Sequence, residues 1–140
     1  GDIKSMNGYM NRVALQTFSY FDTGKHPSLS EPERFYHGFV LGLLVDLGGR
    51  YTLTSNRESG FGRYDVMLEP RDLAKDDAIL LEFKVIDETE EASLADTVQA
   101  ALKQIQEKQY ATSLIAKGIP QGRIHAYGFA FQGKTVLIGA

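Results

Sequence analysis

From residue 3 to residue 21, apolar side chains at Ile3, Met6, Met10, Val13, Ala14, Phe18 and Phe21 return every three or four positions, which lays one stripe along a helix. Residues 24–32 read as a loop, because Pro27 and Pro32 punctuate the stretch and Ser30 can cap a helix that begins there. A second helix is predicted over 32–47. Its broad apolar stripe is Phe35, Tyr36, Phe39, Val40, Leu43, Leu44 and Leu47, and Gly48-Gly49 end it. Glu33 and His37 fall together on the shoulder of that stripe, where side chains are half buried.

The period then changes from helical to alternating. Residues 51–55 read as a short strand, 58–62 as a glycine-containing turn, and 63–69 as a strand closed by Pro70. Residues 72–77 turn the chain into 78–86, the strongest strand of the sequence. An acidic loop over 87–91 leads to a long helix predicted over 92–117, with Leu94, Val98, Ala101, Leu102 and Ile105 on one face and Gly118 and Pro120 as its stop. Strands over 123–131 and 135–139 flank a turn at Gln132-Gly133-Lys134. The order α-α-β-β-β-α-β-β implies a mixed sheet with helices packed on its faces.

Two of these strands carry charge where charge is costly. In AILLEFKVI at 78–86, Ile79, Leu81, Phe83 and Val85 share one face while Ala78, Leu80, Glu82, Lys84 and Ile86 share the other. Both faces are largely apolar, the mark of a central strand covered on both sides, so Glu82 and Lys84 require partners. The preceding strand repeats the pattern: Asp65 shares its face with Met67, and Tyr64, Val66 and Leu68 face the other way. If the two strands pair as a hairpin through 70–77, Asp65 and Glu82 approach each other at the end away from the turn, with Lys84 close by. Neighbouring carboxylates repel unless a cation lies between them. A hard divalent ion, magnesium or manganese, answers that need with oxygen ligands alone. A buried salt bridge from Lys84 to Glu82 or Asp65 answers it equally well, and the hairpin leaves both readings open.

Composition narrows the setting. The 140 residues are 43% hydrophobic and 24% charged, the make-up of one globular domain with one core. The absence of cysteine removes disulfides and thiolate metal sites and makes a reducing cytoplasm the simplest location. No apolar run approaches the ~20 residues that span a bilayer, so a soluble protein without membrane contact is expected. The chain begins at Gly1 and runs straight into an amphipathic segment, which suggests a piece cut from a longer polypeptide. A net charge of −3 argues against general nucleic-acid binding, so any such contact must be local or assisted by metal.

Asp65, sixteen intervening residues and then Glu82-Phe83-Lys84 resemble the D-x(n)-(D/E)-x-K core of the PD-(D/E)XK nuclease superfamily, with an acidic residue, Glu33, on a preceding helix. Wider phrases add specificity: ERFYHGFVLGLL at 33–44, SNRESGFGRYD at 55–65, LEFKV at 81–85, ALKQIQEKQY at 101–110 and YGFAFQGK at 127–134. Together they are similar to the nuclease-like domain at the C-terminus of bacterial and archaeal AAA-ATPase-like proteins, over nearly everything from Ser30 onward. Tyr64 stands where the family's usual proline precedes the aspartate.

The resemblance implies a restriction-endonuclease-like αβββαβ core of the α/β (α+β) class, with an extra N-terminal helix. It implies one domain over 1–140, with 1–29 the added helix and loop and 30–140 the core. It also implies metal-dependent cleavage of phosphodiester bonds in DNA or another nucleic acid, accessory to an ATPase domain of the same polypeptide, with homodimerisation left open. Asp65 and Glu82, helped by Glu33 and the Phe83 carbonyl, would hold Mg2+ or Mn2+. Lys84 and Gln104 would act on the attacking water or the substrate, and Arg57, Arg63 and Lys108 would contact phosphates.

Blander roles stand beside these. Glu33 can favour its helix dipole, His37 can be a packing residue, and Arg57 and Arg63 can pair with nearby acids. Gly60 and Gly62 read as turn glycines, since no helix follows them. Tyr110, Tyr127, Phe129 and Phe131 read as core. A non-catalytic module that keeps the fold to bind nucleic acid or protein is the alternative.

Overall fold

Alternation in AILLEFKV, apolar on both faces, makes this segment the middle of the sheet rather than an edge. The computed structural model describes Gly38, Gly42 and residues 47–57, 63–132 and 135–140. Within these residues the strands are β1 (Tyr51–Arg57), β2 (Arg63–Pro70), β3 (Ala78–Val85), β4 (Ile124–Gln132) and β5 (Thr135–Gly139), in one sheet of order β1-β2-β3-β4-β5. All neighbours are antiparallel except β3 and β4, which run parallel through a helical crossover. A mixed five-stranded sheet with helices on it is the α+β architecture expected, consistent with a restriction-endonuclease-like fold. The helix expected over 3–21 lies outside the described residues. So does most of the one over 32–47, of which Gly38, Gly42 and Leu47 are described and helical. Among the described residues, no helix is long and apolar enough to cross a membrane.

The two sheet faces divide as the alternation requires. Tyr64, Val66, Leu68, Leu81, Phe83, Phe129 and Phe131 form one buried cluster, in which the Phe83 ring lies 4.8 Å from Phe129 and 5.9 Å from Phe131, centroid to centroid. Ala78 and Leu80 lie on the other face, packed with Ile105, Leu114 and Ile119, and Met67 and Tyr110 flank them.

The crossover departs from expectation. Periodicity predicts one helix over 92–117. The structure instead has α1 (Leu94–Glu107) and α2 (Tyr110–Ala116), broken at Gln109, whose φ of 56° is left-handed. Neither glycine nor proline marks the break. Two groups of contacts reward it: Leu114 on α2 reaches the cluster under Ala78 and Leu80, and both residues flanking Gln109 reach Asp65. Helix α1 starts where the Asp96 N–H donates to Ser93 Oγ at 3.4 Å and Asp96 Oδ2 accepts from Ala92 N–H at 3.1 Å. At the end of α2, Ile119 N–H donates to the Leu114 carbonyl and Gly118 N–H to that of Ile115. Gly118 sits at φ 98°, the glycine stop anticipated from sequence.

Helix α1 lies unusually close to the sheet. A Cβ on Gly128, which stands opposite Glu82 in the parallel pair, would come 2.9 Å from the Val98 carbonyl oxygen and 3.2 Å from the Ala101 Cβ. That approach sets the height of the helix above β4. At the other end of the sheet, Arg123 ties down the β2–β3 turn: its Nε donates to Asp77 Oδ1 at 2.8 Å, and its other nitrogens donate to the carbonyls of Asp76 and Leu73. His125 Nε2 lies 2.8 Å from Asp77 Oδ2.

Candidate active site

Along the helix-covered face of β3, the side chains run Ala78, Leu80, Glu82, Lys84. The apolar cluster takes the first two, and the buried charged pair follows it along the strand. The β2–β3 register places Asp65 directly opposite Glu82, and Met67 opposite Leu80. The hairpin expected from sequence therefore forms in the register that joins the two carboxylates on one face. Asp65, Glu82 and Lys84 are all buried, with 4%, 1% and 7% of their surface exposed.

Asp65 is the most heavily bonded of the three. Asn56, its neighbour across β1, donates from Nδ2 to Oδ1 at 3.1 Å. Lys108 Nζ and the Tyr110 hydroxyl both donate to Oδ2, at 2.9 and 3.0 Å. In an unbroken helix, residues two apart point in widely different directions. The turn at Gln109 lets both reach one oxygen. Burial pushes the Asp65 carboxyl above the usual carboxylate range, opposed by the hydrogen bonds from Asn56 and Tyr110. Burial together with the Asp65 charge drives the Tyr110 phenol up to about 12, so it stays a donor at neutral pH. Desolvation lowers the Lys108 ammonium from its ordinary value.

Lys108 faces both acids, since its Nζ is also 3.8 Å from Glu82 Oε1. Lys84 goes elsewhere. Its Nζ is 2.5 Å from Glu91 Oε1, in a pair whose two side chains are each 8% exposed, and the same Glu91 oxygen accepts the Asp87 N–H at 2.8 Å. Gln104 lies on α1 one turn before Lys108, whose N–H it accepts at 3.1 Å. The backbone sets Arg63 opposite Lys84 and Arg57 opposite Tyr64, at the site end of their strands. Glu33 and His37 lie outside the described residues. The Phe83 side chain is in the opposite core, so only its main chain is on offer to the site.

Asn56, Tyr110 and Glu91 are site residues that sequence reasoning missed, and Tyr110 is more than the core residue it resembled. Alternation offered a signal for Asn56, one strand over from Asp65. For Glu91 there was none, because the loop DETEE holds four acids and nothing distinguishes the one that folds back.

Hard carboxylate oxygens that already hold an ammonium between them, in a chain without thiolates, are a donor set suited to magnesium or manganese. Among the described residues, no three His, Cys, Asp or Glu gather as a metal cluster. In a comparison with protein-family models, that of the PD-(D/E)XK nuclease superfamily matches residues 31–140. No curated protein and no solved structure matches the chain.

Proposed function

The chain belongs to the PD-(D/E)XK nuclease superfamily, and from that premise we propose that it is a magnesium- or manganese-dependent phosphodiesterase acting on nucleic acid, DNA in the first place. The observation that carries the reading is the Asp65–Glu82 rung: two buried carboxylates fixed opposite each other, on the same face as Lys84. In this reading Asp65, Glu82, the Phe83 carbonyl and Glu33 are the metal ligands. Lewis-acid polarisation of the phosphodiester and activation of a water are the chemistry such an ion supplies.

The chain's own groups do the rest. Asn56 and Tyr110 hold the Asp65 carboxylate in one orientation. Lys84, aimed by Glu91, stabilises negative charge as water adds to phosphorus and the bridging P–O bond breaks. Gln104 hydrogen-bonds the water or a phosphate oxygen, and Arg57, Arg63 and Lys108 take neighbouring phosphates. We place the domain, over 1–140, as a cytoplasmic accessory to an ATPase domain of the same polypeptide, with homodimerisation open.

One observation favours a second reading, a non-catalytic module that binds nucleic acid or protein. Lys108 on Asp65 and Lys84 on Glu91 already make a charge network that needs no metal to hold together. Cleavage of plasmid, linear and branched DNA with Mg2+ or Mn2+ separates the two. The nuclease reading expects cleavage by the wild type and its loss in both Glu82→Ala and Lys84→Ala. Cleavage that persists in both variants, or none by the wild type on any substrate, refutes it and favours the module.

A further inference from the structure

Resting on the metal reading above, we infer that Lys108 is a resident counter-ion of the Asp65–Glu82 pair, that it must withdraw before a divalent ion binds there, and that on withdrawing it becomes a phosphate contact. Its ammonium occupies the place such an ion needs, at 2.9 Å from Asp65 Oδ2 and 3.8 Å from Glu82 Oε1. Magnesium binds carboxylate oxygens at about 2.0–2.1 Å, using the same lone pairs that the lysine now uses. An ammonium held in hydrogen-bond contact with that oxygen would also face a double positive charge across a poorly hydrated gap. The two cations exclude each other.

The surroundings permit the exchange. Of the three side chains Lys108 is the most exposed, at 18% against 5% for Asp65 and 1% for Glu82, so the lysine lies on the solvent side and leaves outward. It stands at the C-cap of α1 on a flexible four-carbon stem, and its backbone N–H bond to Gln104 does not depend on where its ammonium points. Asp65 keeps its orientation meanwhile, because Asn56 holds Oδ1 and Tyr110 holds Oδ2. Outside the carboxylate pair, the freed ammonium stands at the mouth of the site, where the phosphate of a strand approaching the metal would lie. Metal loading and phosphate affinity thereby become linked in one side chain.

Two measurements on the full chain, without nucleic acid, test the exchange. In Mn2+ titrations followed by water-proton relaxation, Lys108→Met should bind about tenfold more tightly than the wild type, and Glu82→Gln should lose binding. Acylation of lysines by a small amine reagent, read by mass spectrometry, should speed up at Lys108 about threefold or more once Mg2+ is added, as expected if a side chain paired in a closed site is released. Lys117, which pairs with Glu69 far from the site, is the internal reference. Wild-type Mn2+ binding that is unchanged or weakened in Lys108→Met, with Lys108 labelling indifferent to Mg2+, overturns the exchange and leaves the metal site standing. Absence of Mn2+ binding in both proteins removes the metal reading and the exchange with it. The labelling measurement uses the wild type, so it decides the question even if Lys108→Met fails to fold.

Discussion

Tyr110→Phe removes a single oxygen and leaves the ring that packs beside Leu80 and Leu114. The lost group is the hydroxyl 3.0 Å from Asp65 Oδ2, a neutral donor on a buried carboxylate. Hydrogen bonds to charged groups contribute about 1.5–3 kcal/mol, and because Oδ2 also accepts from Lys108, the lower part of that range, about 1.5–2 kcal/mol, is expected. The loss should depend on pH. Burial already sets the folded Asp65 pKa above its unfolded value near 3.8, so the contribution of this group to stability is fully present below 3.8 and is lost as pH rises through the folded pKa. The Tyr110 bond favours the charged form, so removing it raises the folded pKa further and deepens the loss on the neutral side. The difference between variant and wild type should therefore be largest near neutrality and shrink towards pH 3.

Urea denaturation across that range, with an NMR titration of the Asp65 carboxyl carbon, measures both effects. A double-mutant cycle with Asp65→Asn isolates the pair, and a coupling within about 0.5 kcal/mol of zero would refute the assignment, as would an Asp65 titration unmoved by Tyr110→Phe.

Gly128→Ala should destabilise by about 1–3 kcal/mol, because its Cβ meets a backbone carbonyl that cannot turn aside; a urea midpoint equal to wild type would show that α1 does not press on β4 as described. Gln109→Gly should stabilise by up to about 1 kcal/mol through relief of the left-handed conformation, and a lowered urea midpoint would mean the side chain itself holds the break. Asp77→Asn should flatten the acid limb of the stability profile. Arg123 and His125 hold that carboxyl below its ordinary 3.8, so its contribution is present above 3.8 and is lost as pH falls through the lowered value; an acid limb of unchanged slope would contradict this.

How much of the molecule is legible in the chain alone depends on how each feature is encoded. Strand alternation is strictly periodic, so the face of every residue in 63–69 and 78–86 can be counted once one face is known to be buried. The Asp65–Glu82 rung is then set by the length of the turn between the strands. The pairings made by Lys108, Tyr110 and Glu91 depend instead on a helix break and a loop, where no period operates. Lys108 and Tyr110 converge on one oxygen only because Gln109 turns left-handed, and that glutamine carries no local preference for doing so. The tertiary contacts of Leu114 and Tyr110 select the break, and a helix pattern read over 92–117 averages across it. Glu91 is chosen from its acidic neighbours by a fold-back onto Lys84 that composition cannot rank. The Asp65 and Glu82 carboxylates were thus legible as misfits in a regular element, whereas the pairing of Lys108 and the Tyr110 hydroxyl with Asp65 was not, because those two side chains look ordinary until a break in the helix aims them.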